Sequence, residues 1–185
     1  MNGVENRLSE TAELRVEGLL GRRGVKVAEE RYRDELSRRG YGVPGKKSLM
    51  LTLYEALYLV DKGMLEVRDE KGEKASFRRL LQCYEATNKN AWACYLVFRD
   101  LRNRGYVVRE GFGLGVEFRV YERGDYSKDT AKYLTVSVQE GKPIPVKSLS
   151  RALAQSMSLK KELVLGVMNR RGEIVYYSVS ELNLK

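Results

Sequence analysis

Apolar residues recur along this chain at two spacings, and the spacing changes from segment to segment. In residues 1 to about 27 they come in short fragments, Leu14, Val16, Leu19, Leu20, Val25 and Val27, punctuated by Gly18, Gly21 and Gly24. That pattern predicts short strands around turns. Residues 28–39 are rich in charge and in helix formers, with Tyr32 and Leu36 four apart on an inward face. Gly40 and Gly42 stop that helix. Ser48 then stands where an N-cap belongs, ahead of Leu49, Leu53, Leu57 and Val60 on one helical face. Tyr54 and Tyr58 widen this stripe, and their helical spacing points to core packing. Residues 64–67 read as a strand with a turn at Lys71-Gly72, and residues 76–86 as a helix capped by Ser76.

A polar break at 87–90 (TNKN) divides the chain into expected domains of 1–88 and 89–185. Beyond it Cys94, Val97, Phe98 and Leu101 follow i, i+3, i+4, i+7 spacing, with Arg99, Arg102 and Arg104 off the stripe. A strand starts at Tyr106, and Gly111, Gly113 and Gly115 predict a flexible loop. GFGLG lacks the strand-turn-helix context of a dinucleotide fingerprint. Residues 116–121 alternate, Val116, Phe118 and Val120 one way, Glu117, Arg119 and Tyr121 the other, so Tyr121 is expected on the polar face at the strand's end. Residues 133–138 repeat the alternation. Residues 139–148, with Gly141, Pro143 and Pro145, predict an exposed loop. Ser148 would cap a helix reaching Ser158 with Leu149, Leu153 and Met157 buried. Residues 163–168 read as a buried strand, 169–172 as a hairpin turn and 174–179 as its partner. The order predicts an α+β protein of two small domains, the second a mixed sheet flanked by helices.

Composition narrows the chemistry. The net charge is +9, an electrostatic argument for a polyanionic partner such as RNA. The chain holds no histidine at all, which excludes Ser-His-Asp and Cys-His nucleophile arrangements. Proton transfer would fall to Asp, Glu, Lys, Tyr, Cys or a metal. Cys83 and Cys94 sit in apolar-periodic segments without metal-ligand spacing, so buried free thiols are expected, with no metal and no cofactor. No apolar run is long enough to cross a membrane, and the polar N-terminus is unlike a secretory signal. A cytoplasmic location is the expectation.

Several separate segments, in order, resemble one family. FRDLRNRGYVV, GVEFRVYERG, a segment ending in KYLTV, and LKKELVLGVMNRRGEIVYYSV are similar to the C-terminal catalytic domain of archaeal tRNA-splicing endonucleases. LTLYEALYLVDKGMLEV resembles that family's N-terminal domain. The resemblance implies metal-independent cleavage of precursor tRNA at a bulge-helix-bulge, leaving a 2′,3′-cyclic phosphate and a 5′-hydroxyl. Such a site needs a base for the 2′-hydroxyl, an acid for the departing oxygen and a cation for the phosphorane charge. The family uses a tyrosine, a histidine and a lysine. By resemblance these fall on Tyr121, Thr130 and Lys161, and an arginine that stacks on a bulge base falls on Ala154. A threonine hydroxyl is far too weak an acid to replace imidazole.

The resemblance therefore implies a structural, non-catalytic subunit that works beside a catalytic paralogue, two of each. Candidate RNA contacts are Arg99, Arg102, Arg104, Lys160 and Lys161, all of which also read as solvated charges. The segment 139–147 is a candidate docking loop, although Glu140 is its only acid. Two alternatives stand beside this. One is an active endoribonuclease with a substitute acid among Tyr126, Lys128 and Asp129. The other is a stand-alone RNA-binding or scaffold protein.

Overall fold

The computed structural model describes residues 16–182 except 114, 123, 125 and 127–130. Val16–Gly21 (β1) and Gly24–Val27 (β2) form a hairpin, as the short apolar fragments predict. Gly24 lies against the neighbouring strand so closely that a Cβ there would run into the Leu51 carbonyl oxygen. The N-terminal half continues with α1 (Glu30–Arg38), β3 (Val43–Pro44), β4 (Leu49–Leu51), α2 (Leu53–Asp61), β5 (Leu65–Arg68) and α3 (Phe77–Thr87). Its sheet has the order β3-β4-β2-β1-β5, with β1 and β5 parallel.

The helix expected to start at Leu49 starts four residues later. Thr52 is its N-cap. The Thr52 hydroxyl accepts the Glu55 N–H at 3.4 Å, and the Glu55 carboxylate accepts the Thr52 N–H at 2.8 Å, a reciprocal capping box. Leu49 and Leu51 are buried and Met50 between them is exposed, the period of a strand, and this strand pairs with β2. The apolar run fits both periods, and the capping box decides where the helix begins.

The C-terminal half comprises α4 (Ala91–Asn103), β6 (Val107–Gly113), β7 (Val116–Tyr121), β8 (Tyr133–Gln139), α5 (Val146–Ser158), β9 (Glu162–Met168) and β10 (Ile174–Val179). The order β10-β9-β8-β7-β6 is antiparallel except for β8 and β9, which run parallel with α5 as their crossover. Helix α4 packs on one face with Phe118 and Val120. On the other, Leu149, Ala152 and Leu153 of α5 cover Leu134 and Leu163. The protein is thus α+β with two mixed sheets.

Four further expectations are corrected. The glycine-rich 111–115 segment is ordered as strand up to Gly113, which pairs with Val116 after a register irregularity. Gly111 is needed there because a Cβ would meet the Val116 carbonyl. Helix α5 begins at Val146 with Pro145 at the N-cap, ahead of Ser148, since the fixed φ of proline suits a helix start. Its buried positions are Ala152 and Ser156, and Met157 is 53% exposed. The strand β9 is covered fully only at Leu163, Gly166 and Met168; Val164 opens onto a cavity lined by Leu101, Tyr106 and Tyr176. Cys83 and Cys94 are both free thiols; Cys94 is buried as expected, whereas Cys83 is only half-buried. Among the described residues no helix is long and apolar enough to cross a membrane.

The two halves share one core. A single cluster of buried side chains runs from Val16 through Leu57 and Phe98 to Met168. Tyr54 of α2 packs at 4.9 Å from Phe98 of α4 and 5.2 Å from Phe118 of β7, ring centre to ring centre. A polar clamp closes the seam. Arg109 of β6 donates to the carbonyls of Gly40 (3.0 Å) and Gly42 (2.6 Å) and stands 3.6 Å from the Glu55 carboxylate. Glu55 also accepts the Gly42 N–H at 3.0 Å. Burial outweighs these partners and holds its carboxyl above the usual range. Replacing Arg109 by Met would leave Glu55 buried without its cation and two carbonyls without donors. The expected loss is about 3 kcal/mol of unfolding free energy, read from urea titration. An Arg109→Met/Glu55→Gln double variant should recover part of it.

Candidate functional site

Strand register brings the candidate residues together. Val120 pairs with Tyr133, and Tyr133 with Glu162. One step further along, Tyr121, Lys132 and Lys161 form a row across β7, β8 and the start of β9. The Lys132 N–H donates to the Val120 carbonyl at 2.9 Å, and the Glu162 N–H to the Lys132 carbonyl at 3.1 Å. Two strand spacings of about 4.8 Å put the Tyr121 and Lys161 backbones roughly 10 Å apart. A group held between them would be reached from both sides.

The side chains do not face that gap freely. Tyr121, expected on the polar face, is only 2% exposed. The Tyr126 ring stands on it edge to face, 5.4 Å away at 88°. Tyr126 in turn lies 6.0 Å from the Arg109 guanidinium, and a Cβ on Gly40 would sit 3.5 Å from its ring. The tyrosine is buried because an aromatic from the following segment, backed by the N-terminal half, covers it. Alternation alone cannot reveal such a cover. Lys161 is half-buried and donates to the Ala131 carbonyl at 2.6 Å, so its ammonium pins the chain just after position 130. Thr130, Lys128 and Asp129 lie outside the described residues. Lys160 is exposed in the left-handed region (φ 55°) at the turn into β9. Ala154 is exposed on α5.

The arginines of α4 are already engaged. Arg102 stacks 3.9 Å over the Tyr41 ring and donates to the Tyr41 hydroxyl (3.1 Å) and the Arg39 carbonyl (3.0 Å). That is a second clamp between the halves, and it leaves few donors for phosphate. Arg104 pairs with Asp100 at 2.6 Å and lies over Tyr176; Arg99 lies over Tyr95. Glu140, the one acid of the candidate docking loop, accepts the Arg170 N–H of the next hairpin at 3.2 Å.

A cleft that the sequence did not suggest opens between the halves. It measures about 330 Å³ and is lined by Tyr54, Tyr84, Glu110 and Glu117, among others. The Glu117 carboxylate accepts the Ser137 N–H at 3.0 Å, where the β7–β8 ladder has ended. Burial pushes its carboxyl from the ordinary 4.5 up to about 7.

Known proteins resolve what such a fold belongs to. Residues 91–176 match the model for the catalytic C-terminal domain of the tRNA intron endonuclease, and residues 16–81 match the model for its N-terminal domain. The chain belongs to the tRNA intron endonuclease family. It is 36% identical to the tRNA-splicing endonuclease of Methanococcus vannielii, over 86% of this chain and 94% of that protein. Against the tRNA-splicing endonuclease of Methanothermobacter thermautotrophicus the identity is 34%, over 90% of this chain and 97% of the relative. The tRNA-splicing endonuclease of Methanococcoides burtonii is 35% identical over 78% of this chain, which spans only 40% of that longer protein. These matches run through both halves, as the quoted segments suggested.

Two measurements follow from the geometry. Tyr121 should resist nitration by tetranitromethane in the wild type and become reactive in Tyr126→Ala, as peptide mass mapping would register. For Glu117, a folded-state value raised above the unfolded one contributes stability that is full below about pH 4.5 and lost as pH rises through about 7. Glu117→Gln keeps the acceptor for Ser137. It should therefore be more stable than wild type at pH 8, by at most about 3 kcal/mol, and no more stable at pH 4.

Proposed function

We propose that this chain is the structural, non-catalytic subunit of a heteromeric tRNA-splicing endonuclease. The complex would remove introns from precursor tRNA at bulge-helix-bulge sites, leaving 2′,3′-cyclic phosphate and 5′-hydroxyl ends. It would join two copies of this chain to two of a catalytic paralogue in the cytoplasm. The observation that carries the reading is the absence of any histidine from the whole sequence. The family's acid is a histidine, the position that corresponds to it is Thr130, and no other imidazole exists to take its place. A positioned acid or base typically contributes about 10²–10⁴-fold to rate. The covered ring of Tyr121 and the Lys161–Ala131 bond also support the reading. In it, both side chains stabilise the sheet end and neither meets the RNA backbone. The chain divides at 88/89 into an N-terminal unit and a degenerate catalytic unit. RNA contact falls to Arg99, Arg104 and Lys160, with Arg102 contributing through the seam.

One contact favours a second reading. Tyr126 packs on Tyr121, and in this reading the tyrosine pair, with Arg109 beside it, substitutes for the missing acid in an active endoribonuclease. The two readings separate in one assay. The purified chain and a catalytic paralogue from the same genome are incubated, alone and mixed, with an intron-containing precursor tRNA. Cleavage only in the mixture is the expected outcome. Cleavage by this chain alone, abolished in Tyr121→Phe, would replace the first reading by the second.

A further inference from the structure

The cleft between the halves has the makings of a ligand site, and it lies away from the row of Tyr121, Lys132 and Lys161. Three acceptor groups converge on it. The Tyr54 hydroxyl is on a side chain only 7% exposed and, among the described residues, makes no hydrogen bond of acceptable geometry, although the Thr52 side chain lies near enough to influence it. Glu117 lines the cleft from β7 with one carboxylate oxygen given to Ser137. Glu110 lines it from β6 and lies near enough to Tyr54 to raise the phenol further above its ordinary range, after burial and Glu55 have done so. Tyr84 and Phe118 supply apolar wall between these groups.

We infer that this cleft binds a primary alkylammonium group of a small free di- or polyamine. An ammonium carries three donors on a compact centre, matching the phenol oxygen and two carboxylates, while its methylene stem lies along the aromatic wall. The volume of about 330 Å³ accommodates such a chain. A divalent metal fits less well. Among the described residues no cluster of three or more Asp, Glu, Cys or His is placed to hold one. Arg23 also lines the cleft and, like Glu110, is solvent-exposed, so water and salt screen both charges and the less exposed Glu117 and Tyr54 carry most of the recognition. The overall charge of +9 repels cations from the surface at large, so saturable amine uptake would be a property of this cleft.

The test is calorimetric titration of the full chain at pH 8, where the Glu117 carboxyl is ionised, with 1,4-diaminobutane and with spermidine, against magnesium chloride at matched ionic strength. The expected result is one saturable site per chain for the amines. Glu117→Gln should weaken it by about tenfold, and Tyr54→Phe and the exposed Glu110→Gln by about threefold each. Circular dichroism melts establish that each variant is folded, and Glu110→Gln serves if a buried substitution is not tolerated. Absence of saturable amine binding, tighter binding of magnesium, or equal affinity in folded variants would overturn the proposal. None of these outcomes bears on whether the chain cleaves RNA.

Discussion

Glu55 is the constraint on which the arrangement of this chain depends. A carboxylate at 2% exposure is costly unless every lone pair is used. Here one oxygen closes the capping box of α2, and the other takes the Gly42 N–H and faces Arg109. Start of helix, turn of the N-terminal half and strand of the C-terminal half are thereby fixed relative to one another by a single side chain. The cluster of tilted and edge-to-face rings formed by Tyr54, Phe98 and Phe118 fills the same seam with apolar area. Charge sets the register of the halves, and burial supplies most of the energy that keeps them together.

That seam also explains the state of the candidate site. Arg109 holds the Gly40–Gly42 turn, the turn backs Tyr126, and Tyr126 covers Tyr121. The row of Tyr121, Lys132 and Lys161 across three strand ends is present as geometry. Its phenol, however, is integrated into packing, and Lys161 is tied to a backbone carbonyl. A chain whose sequence offers no imidazole has little chemical reason to keep that row open, and the covering is consistent with a scaffold reading.

Much of this was legible in the sequence where local pattern and tertiary demand agree. The clean alternation of 116–121 and the spacing of Cys94, Val97, Phe98 and Leu101 produced the observed strand and helix. Misreadings arose where one pattern serves two structures. Leu49–Leu51 suits helix or strand until Thr52 and Glu55 are recognised as a capping box. Met157 continues a helical stripe on paper but turns outward because small Ala152 and Ser156 let α5 approach the sheet on another face. Tyr121 and Glu117 share the nominally polar side of β7, yet Tyr121 is buried under Tyr126 and Glu117 is half-buried at the cleft between the halves. No local rule reports what another part of the chain will place on top.

The last strand carries a different kind of consequence. β10 is the outer strand of its sheet, and Val175 and Tyr177 on it are 45% and 54% exposed. An edge with open backbone groups and apolar, β-prone side chains recruits further strands, and aggregation is the usual outcome when nothing occupies it. Its charged neighbours Arg170 and Arg171 stand at the hairpin turn and leave the strand itself without a gatekeeper. Self-association of the isolated polypeptide is therefore expected to begin at this border, where a strand from a second molecule would find both open backbone groups and apolar side chains.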